Sequence, residues 1–338
     1  MIKKTYLIAT LVLVGAAAAT MILDKKRSGS GVPDSLAKSL FDAKDFAKVS
    51  RVSLKKAETT LTLNRDNEGR WTINAQDSFP ASAEKVLHLL EDVSKAKAIE
   101  QVASVKEKWA ELELENGSQL TFSGDKNEEL FNMTLGKNRT SGGQYARFGD
   151  KPESYLIFQP VFLNLDMKSW ELRTLIDLKK GDMKQVSFQP EPAIGKKPAV
   201  FVREKKEDRF SLKDSPGLDK EKAVEIDGLE NLLSGLSFTE RAPLEPAIAD
   251  AFPTASTLEA QLFNGAKVKV QIAQLGTAND KKAFVRIQAE GGDGALAKNA
   301  ALIQELSTKY QLQLDQATSA RLLRGLEDFI VAPEPGKG

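Results

Sequence analysis

The 338-residue chain has no cysteine. That absence excludes disulfides, thiolate metal sites, iron–sulfur ligation and a cysteine nucleophile. Histidine is nearly absent, with His88 alone, so a multi-histidine metal centre is excluded as well. An excess of charge is also missing. Lys plus Arg number 48 and Asp plus Glu 47, without the basic surplus of a dedicated nucleic-acid binder. Basic pairs such as Lys196-Lys197 and Lys205-Lys206 are interrupted by acids or turn residues and read as solvated faces. No nucleic-acid partner is expected.

Catalytic motifs are equally scarce. The chain contains no phosphate-binding Gly-x-x-x-x-Gly-Lys-Ser/Thr loop. Ser35-Leu36-Ala37-Lys38 and Ser82-Ala83-Glu84-Lys85 have a serine–lysine spacing, but the Ser-Asp-Asn and Lys-Thr-Gly partners are missing. Both serines read instead as helix caps. His88 lies opposite Val86, Leu90 and Val93 at helical spacing, which places it toward solvent. Asp125, Glu128 and Glu129 lack the spacing of a calcium loop. Gly142-Gly143 and Gly291-Gly292-Asp293-Gly294 are isolated glycine stretches. The triplets at Asn116, Asn132 and Asn138 match glycosylation acceptors by chance. Trp71 reads as core, next to a strand. Trp109 and Trp170 are left open between core and binding platform. No catalytic, cofactor-binding or metal residue is nominated.

What the chain does have begins at its N-terminus. Tyr6–Leu23 is an uncharged run preceded by Lys3-Lys4 and followed by Asp24-Lys25-Lys26-Arg27. As a helix it would span about 27 Å, enough for a thin bilayer core. Ala17-Ala18-Ala19 would also suit signal-peptide cleavage, but Met21-Ile22-Leu23 resumes the apolar run before the charges, which favours an uncleaved anchor. Residues 1–27 are therefore expected to be a cytoplasmic tail and transmembrane anchor, reaching the bilayer through residues 6–23. The bulk of the chain is placed outside the cytoplasm. Residues 28–47 are expected to be a linker and a short helix, with helical spacing over 34–46.

Beyond the anchor the pattern runs twice. Val52 and Leu54 alternate with polar residues, Arg70-Trp71-Thr72-Ile73 follows, and a helix opens after Pro80 and Ser82. Asn116-Gly117 has hairpin-turn chemistry, with Leu112 and Leu114 before it and Leu120 and Phe122 after it. The second half offers Val186 and Phe188, then Arg209-Phe210-Ser211-Leu212, then a helical face of Ile226, Leu229, Leu233 and Leu236. Asn264-Gly265 and Phe284-Val285-Arg286-Ile287 follow. The offsets between matched features are 134, 139, 148 and 139 residues, the signature of an internal duplication. The fold class is α+β: an N-terminal transmembrane helix, then two duplicated lobes, each a mainly antiparallel sheet with a helix packed on one face. The first repeat is placed at 48–159, a connector at 160–183 and the second repeat at 184–290. C-terminal helices are expected at 291–332 and a disordered tail at 333–338.

An N-terminal membrane helix is thus followed by Gly69-Arg70-Trp71-Thr72-Ile73 and Pro80-Ala81, then Leu135-Gly136 and Gly143-Gln144-Tyr145-Ala146-Arg147. Tyr155-Leu156-Ile157 and Leu172-Arg173 complete the set. This set resembles the bacterial family called domain of unknown function 4340, over roughly residues 48–290. The resemblance implies a protein often encoded beside gliding-motility-type ABC transporters and thought to act as an accessory. It carries over no catalytic residue and no cofactor. The expectation is a non-enzymatic, single-pass inner-membrane protein, bulk periplasmic, whose partners are ABC transporter permease or ATPase subunits or other membrane proteins. The alternative is an envelope ligand-binding module taking a lipid, glycan or peptide in a cleft between lobes. A third possibility is an enzyme using only carboxylates and lysines.

Overall fold

The computed structural model describes residues 39–74, 77–213, 222–277, 280–292 and 294–331. The expected anchor at 6–23, Ser35 with its cap, and the tail at 333–338 lie outside them. Among the described residues no helix is long and apolar enough to cross a membrane. The chain divides into two compact units, Met1–Leu172 and Arg173–Gly338, so the division falls inside the expected connector.

The first unit is built on β1 (Arg51–Lys56), β2 (Thr59–Arg65), β3 (Trp71–Ile73), helix α1 (Ala83–Lys95), β4 (Ala98–Ala103), β5 (Ser118–Ser123), β6 (Glu129–Asn138), β7 (Gln144–Phe148) and β8 (Ser154–Ile157). Its eight strands lie in the order β3-β2-β1-β5-β6-β7-β8-β4, every pair antiparallel. Period-two alternation sends Val52, Leu54, Leu61, Leu63, Leu120, Phe122 and Met133 to one face, where they are fully buried. That face is covered by α1 through Val86, Leu89, Leu90 and Val93. Ser82 caps α1 by accepting from the Lys85 N–H. Of the short helix expected at 34–46, residues 34–38 lie outside the described residues; beyond them the chain forms a 3-10 helix over Ala43–Lys48, opened by Asp42, and Phe41 and Phe46 join the same core.

The first unit closes with the short helix α2 (Met167–Trp170), and the second unit begins at Arg173. Its own strands are β9 (Thr174–Ile176), β10 (Met183–Gln189), β11 (Ala199–Val202), β12 (Ser211–Leu212), β13 (Leu236–Ser237), β14 (Glu240–Pro243), β15 (Ser256–Leu262), β16 (Lys267–Leu275), β17 (Lys282–Glu290) and β18 (Tyr310–Leu314). The helices are α3 (Ala223–Asp227), α4 (Pro246–Ala251), α5 (Gly294–Lys309) and α6 (Gln316–Leu322). The large sheet runs β12-β11-β10-β15-β16-β17-β18-β14. This is the order of the first sheet, strand for strand. Registers agree too: Val52 faces Leu63 and Phe122, and Val186 faces Phe201 and Ala260. The chief difference is α5, inserted between β17 and β18 where the first unit has only the loop after Phe148.

Four sequence expectations need correction. Asn116-Gly117 does not close a hairpin. It leads into β5, whose hairpin with β6 turns at Gly124–Glu128 with Asn127 at φ 60°. Leu112 and Leu114 are buried, but Glu113 between them has φ 58°, so the apparent alternation belongs to an irregular connector. Asn264-Gly265 does form the β15–β16 turn, with Gly265 at φ 86°, which explains why the Asn-Gly match had the deviant offset. The second-repeat helix is broken. Ile226, Leu229, Leu233 and Leu236 are all buried, yet α3 passes at Gly228 into a 3-10 turn and Leu236 belongs to β13. Finally, the stretch 291–332 holds β18 between α5 and α6, so the second sheet is completed beyond residue 290.

Candidate functional site

The residues weighed for chemistry stay apart. His88 stands exposed on α1 between Glu84, at 3.6 Å, and Glu91, at 3.9 Å. Lys85, three residues after Ser82, donates from Nζ to the Ser169 carbonyl. Glu128 closes the β5–β6 turn by accepting from the Lys126 N–H at 2.9 Å, and Glu129 accepts from Asn132 Nδ2 at 3.0 Å. Among the described residues no group of three or more His, Asp or Glu is placed to hold a metal. Trp71 and Trp170 are buried.

Four arginines, none of them nominated from sequence, form the most regular polar feature. Each lies over an aromatic ring: Arg65 over Trp71 at 5.8 Å, Arg203 over Phe210 at 4.4 Å, Arg147 over Trp109 at 4.4 Å and Arg286 over Phe252 at 4.2 Å. These are two pairs, each occurring twice. Leu63 faces Ile73 and Phe201 faces Leu212, so Arg65 and Arg203 hold corresponding places two residues on. Arg147 faces Thr134 on β6, and Arg286 faces Gln271 on β16.

The second pair serves the sheet face opposite the main core. Ala146 and Val285 point into the core, so Arg147 and Arg286 point away from it. There the connector between β4 and β5 brings Trp109, Leu112 and Leu114. The connector between β14 and β15 brings Ile248 and Phe252, which pack with Ala273 and Phe284. Trp109 Nε1 donates to the Pro152 carbonyl at 3.1 Å, and Gln271 Nε2 donates to the Phe252 carbonyl at 3.0 Å. Burial lowers the pKa of Arg65, Arg147 and Arg286. Such guanidinium groups remain charged at any physiological pH. Arg203 is the most enclosed. Its Nε donates to the Met183 carbonyl at 2.7 Å, its Nη1 to the Lys206 carbonyl at 3.0 Å, and Glu230 lies at 3.1 Å. Cation–π stacking with backbone acceptors pins loops. It provides neither a nucleophile nor a base.

The sequence signal for Arg147 and Arg286 is that Phe284-Val285-Arg286-Ile287, the last feature of the second half, is matched by Tyr145-Ala146-Arg147-Phe148 in the first. Its polar member is the charged residue common to both quartets.

Two surface features remain. A shallow depression of ≈ 500 Å³ is lined by Lys137, Asn138, Arg139, Thr140, Ser141 and Tyr145. After β8, Phe158 and Phe162 are 70% and 77% exposed.

Comparison with known proteins gives one match. The family model described as "Domain of unknown function (DUF4340)" matches residues 71–242, half of the chain. The matched stretch begins in β3 and ends in β14, so it runs across both units. No curated protein and no solved structure matches the chain.

Proposed function

This chain belongs to the DUF4340 family, and from that premise we propose that it is a non-enzymatic accessory protein of an envelope complex, anchored in the inner membrane and acting through protein contacts. The observation that carries this reading is the uncharged Tyr6–Leu23 run with basic flanks, set ahead of two eight-stranded units. The partners proposed are the permease and ATPase subunits of an ABC-type transporter. That part of the reading comes from the sequence resemblance. We further read the two units as an internal repeat. The shared strand order and the two arginine–aromatic pairs in corresponding registers support it.

The test is affinity purification of the full-length chain from detergent-solubilised membranes of its host, with partners identified by mass spectrometry. Recovery of permease and ATPase subunits in near-stoichiometric amounts is expected. Recovery of the chain alone, where other membrane complexes survive, overturns the accessory role.

A second reading, a ligand-binding module, has the polar depression at Lys137–Ser141 and Tyr145 in its favour. A sugar or anionic headgroup is the class those donors suit. It predicts a rise in melting temperature with envelope extracts, since a ligand bound only by the native state stabilises it.

A further inference from the structure

The loop after β8 presents apolar side chains in a way that disorder does not account for. Residues 158–165 contain no charge. Phe158 is 70% exposed, Phe162 77% and Met167 50%, whereas large apolar side chains are usually buried and a group of exposed ones marks an interaction surface. Yet the loop is fastened along its length. The Phe158 N–H donates to the Lys97 carbonyl at 3.0 Å. Val161 is buried, and its N–H donates to Gln144 Oε1 at 3.0 Å. Leu163 and Leu165 pack against the first core. Trp170 is buried, with Nε1 donating to the Asn164 carbonyl at 2.7 Å. The backbone is held while the two phenylalanines are turned outward.

The position of this loop matters as much as its composition. Ser39 is bridged to Lys97, and the Leu40 N–H donates to the Ala96 carbonyl at 3.3 Å. The same Lys97 receives the Phe158 N–H. The exposed phenylalanines therefore begin beside the point where the chain, coming from the apolar run, joins the first unit. Fifteen residues, 24–38, separate that run from Ser39, and they can reach at most about 50 Å.

We propose that the Phe158–Met167 loop docks on the bilayer surface, with Phe158 and Phe162 inserted at the headgroup–acyl boundary. The first unit is then held against the membrane rather than at the end of a free tether. The proposal rests on the reading of residues 6–23 as a bilayer anchor. A tether of this length keeps the loop at high effective concentration near lipid, so two aromatic side chains suffice for docking although they would not hold a free protein there. Because residues 158–165 are uncharged, docking is hydrophobic and insensitive to salt.

The chain's lack of cysteine makes the test direct. Phe162→Cys, and separately His88→Cys on the exposed face of α1, are labelled with an environment-sensitive fluorophore in the full-length protein reconstituted into proteoliposomes. Both positions are exposed, so neither substitution threatens the core. The expected result is a label at 162 that lipid-borne bromine quenches about twofold or more and aqueous iodide does not, at low and high salt alike. The label at 88 should behave oppositely. Anchoring is read separately by alkaline carbonate extraction. A label at 162 open to iodide on a chain that resists extraction overturns the docking and leaves the anchor. A label shielded from iodide yet unquenched by brominated lipid means that protein covers the loop, and this also overturns the docking. A lipid-quenched label on a chain that extracts overturns the anchor and with it the tethered docking, since the loop would then reach lipid unaided, and a wet label on such a chain overturns both.

Discussion

Replacing Arg203 with methionine should cost the second unit about 3 kcal/mol, since it removes one partner of a buried ion pair. The Arg203 side chain is wholly buried. Removing its charge leaves Glu230 without its 3.1 Å partner and takes the Arg203 donors from the Met183 and Lys206 carbonyls. Breaking a buried pair costs about 3–5 kcal/mol. Lys180 still holds Glu230 at 2.8 Å, which pulls the cost toward the low end. Methionine retains some contact with Phe210, worth about 1 kcal/mol or less. At a urea slope of about 2 kcal/mol per molar, the midpoint should fall by about 1.5 M. The corresponding residue in the first unit is a built-in control. Arg65 is half-buried and donates to one carbonyl, that of Ala47, so Arg65→Met should cost only about 1 kcal/mol. The two effects can be read apart, because Trp71, Trp109 and Trp170 all lie before Arg173. Tryptophan emission follows the first unit, and far-ultraviolet circular dichroism follows both. Arg203→Met should move the dichroism transition and leave the emission transition in place. A midpoint loss under about 0.3 M, or equal losses for the two substitutions, would refute the reasoning that burial and lost acceptors set the cost.

Four further substitutions have expected outcomes. Gly136→Ala should destabilise the first unit by about 2 kcal/mol or more in a tryptophan-monitored melt, because the added Cβ would overlap the Leu112 carbonyl; Gly69→Ala, at φ 84° with open space around it, should cost about 1 kcal/mol. Phe122→Ala should cost about 3–5 kcal/mol, since Phe122 is fully buried against Phe41 and Phe131. Burial acts to raise the Asp328 pKa, but hydrogen bonds from Lys196 and the Gly325 N–H prevail and lower it. Its stabilising contribution should therefore be complete above about pH 4, the ordinary aspartate value, and be lost as pH falls through the lower folded value. Asp328→Asn should flatten the acid limb of the stability–pH curve, and an unchanged limb would show that the Lys196 contact is not formed.

Much of the sheet was legible because one covered face forces a period of two. Val52, Leu54, Val186 and Phe188 could be read directly, as could Arg70-Trp71-Thr72-Ile73 against Arg209-Phe210-Ser211-Leu212. The hairpin turn of β1 and β2 was hidden, since Ala57 adopts φ 50° without glycine to announce it. The Leu112–Leu114 connector imitated a strand because burial on the sheet's other face also spaces apolar residues by two. β18 was missed because the sixteen-residue α5 separates it from β17.

Of the candidate surfaces, the loop at Phe158 and Phe162 was divided by the sequence reading between the end of the first repeat, at 159, and the start of the connector, at 160. An apolar residue in a sequence carries no mark of whether it ends inside or outside, and only the fastening of Val161 and Trp170 turns these two phenylalanines outward. The same holds for the arginines.

Local pattern settles what the local chain must do. It determined which strand residues are apolar on one face, that Asn264-Gly265 turns tightly, that Ser82 can cap a helix, and that residues 6–23 carry no charge. These follow from backbone stereochemistry and hydration, which act over a few residues. Tertiary structure alone decided that β4 closes the first sheet beside β8 and β14 the second beside β18, and that Arg203 meets Glu230 and Phe210. Those partners are brought together by the path of the whole chain, and no short stretch of sequence contains both members of the contact.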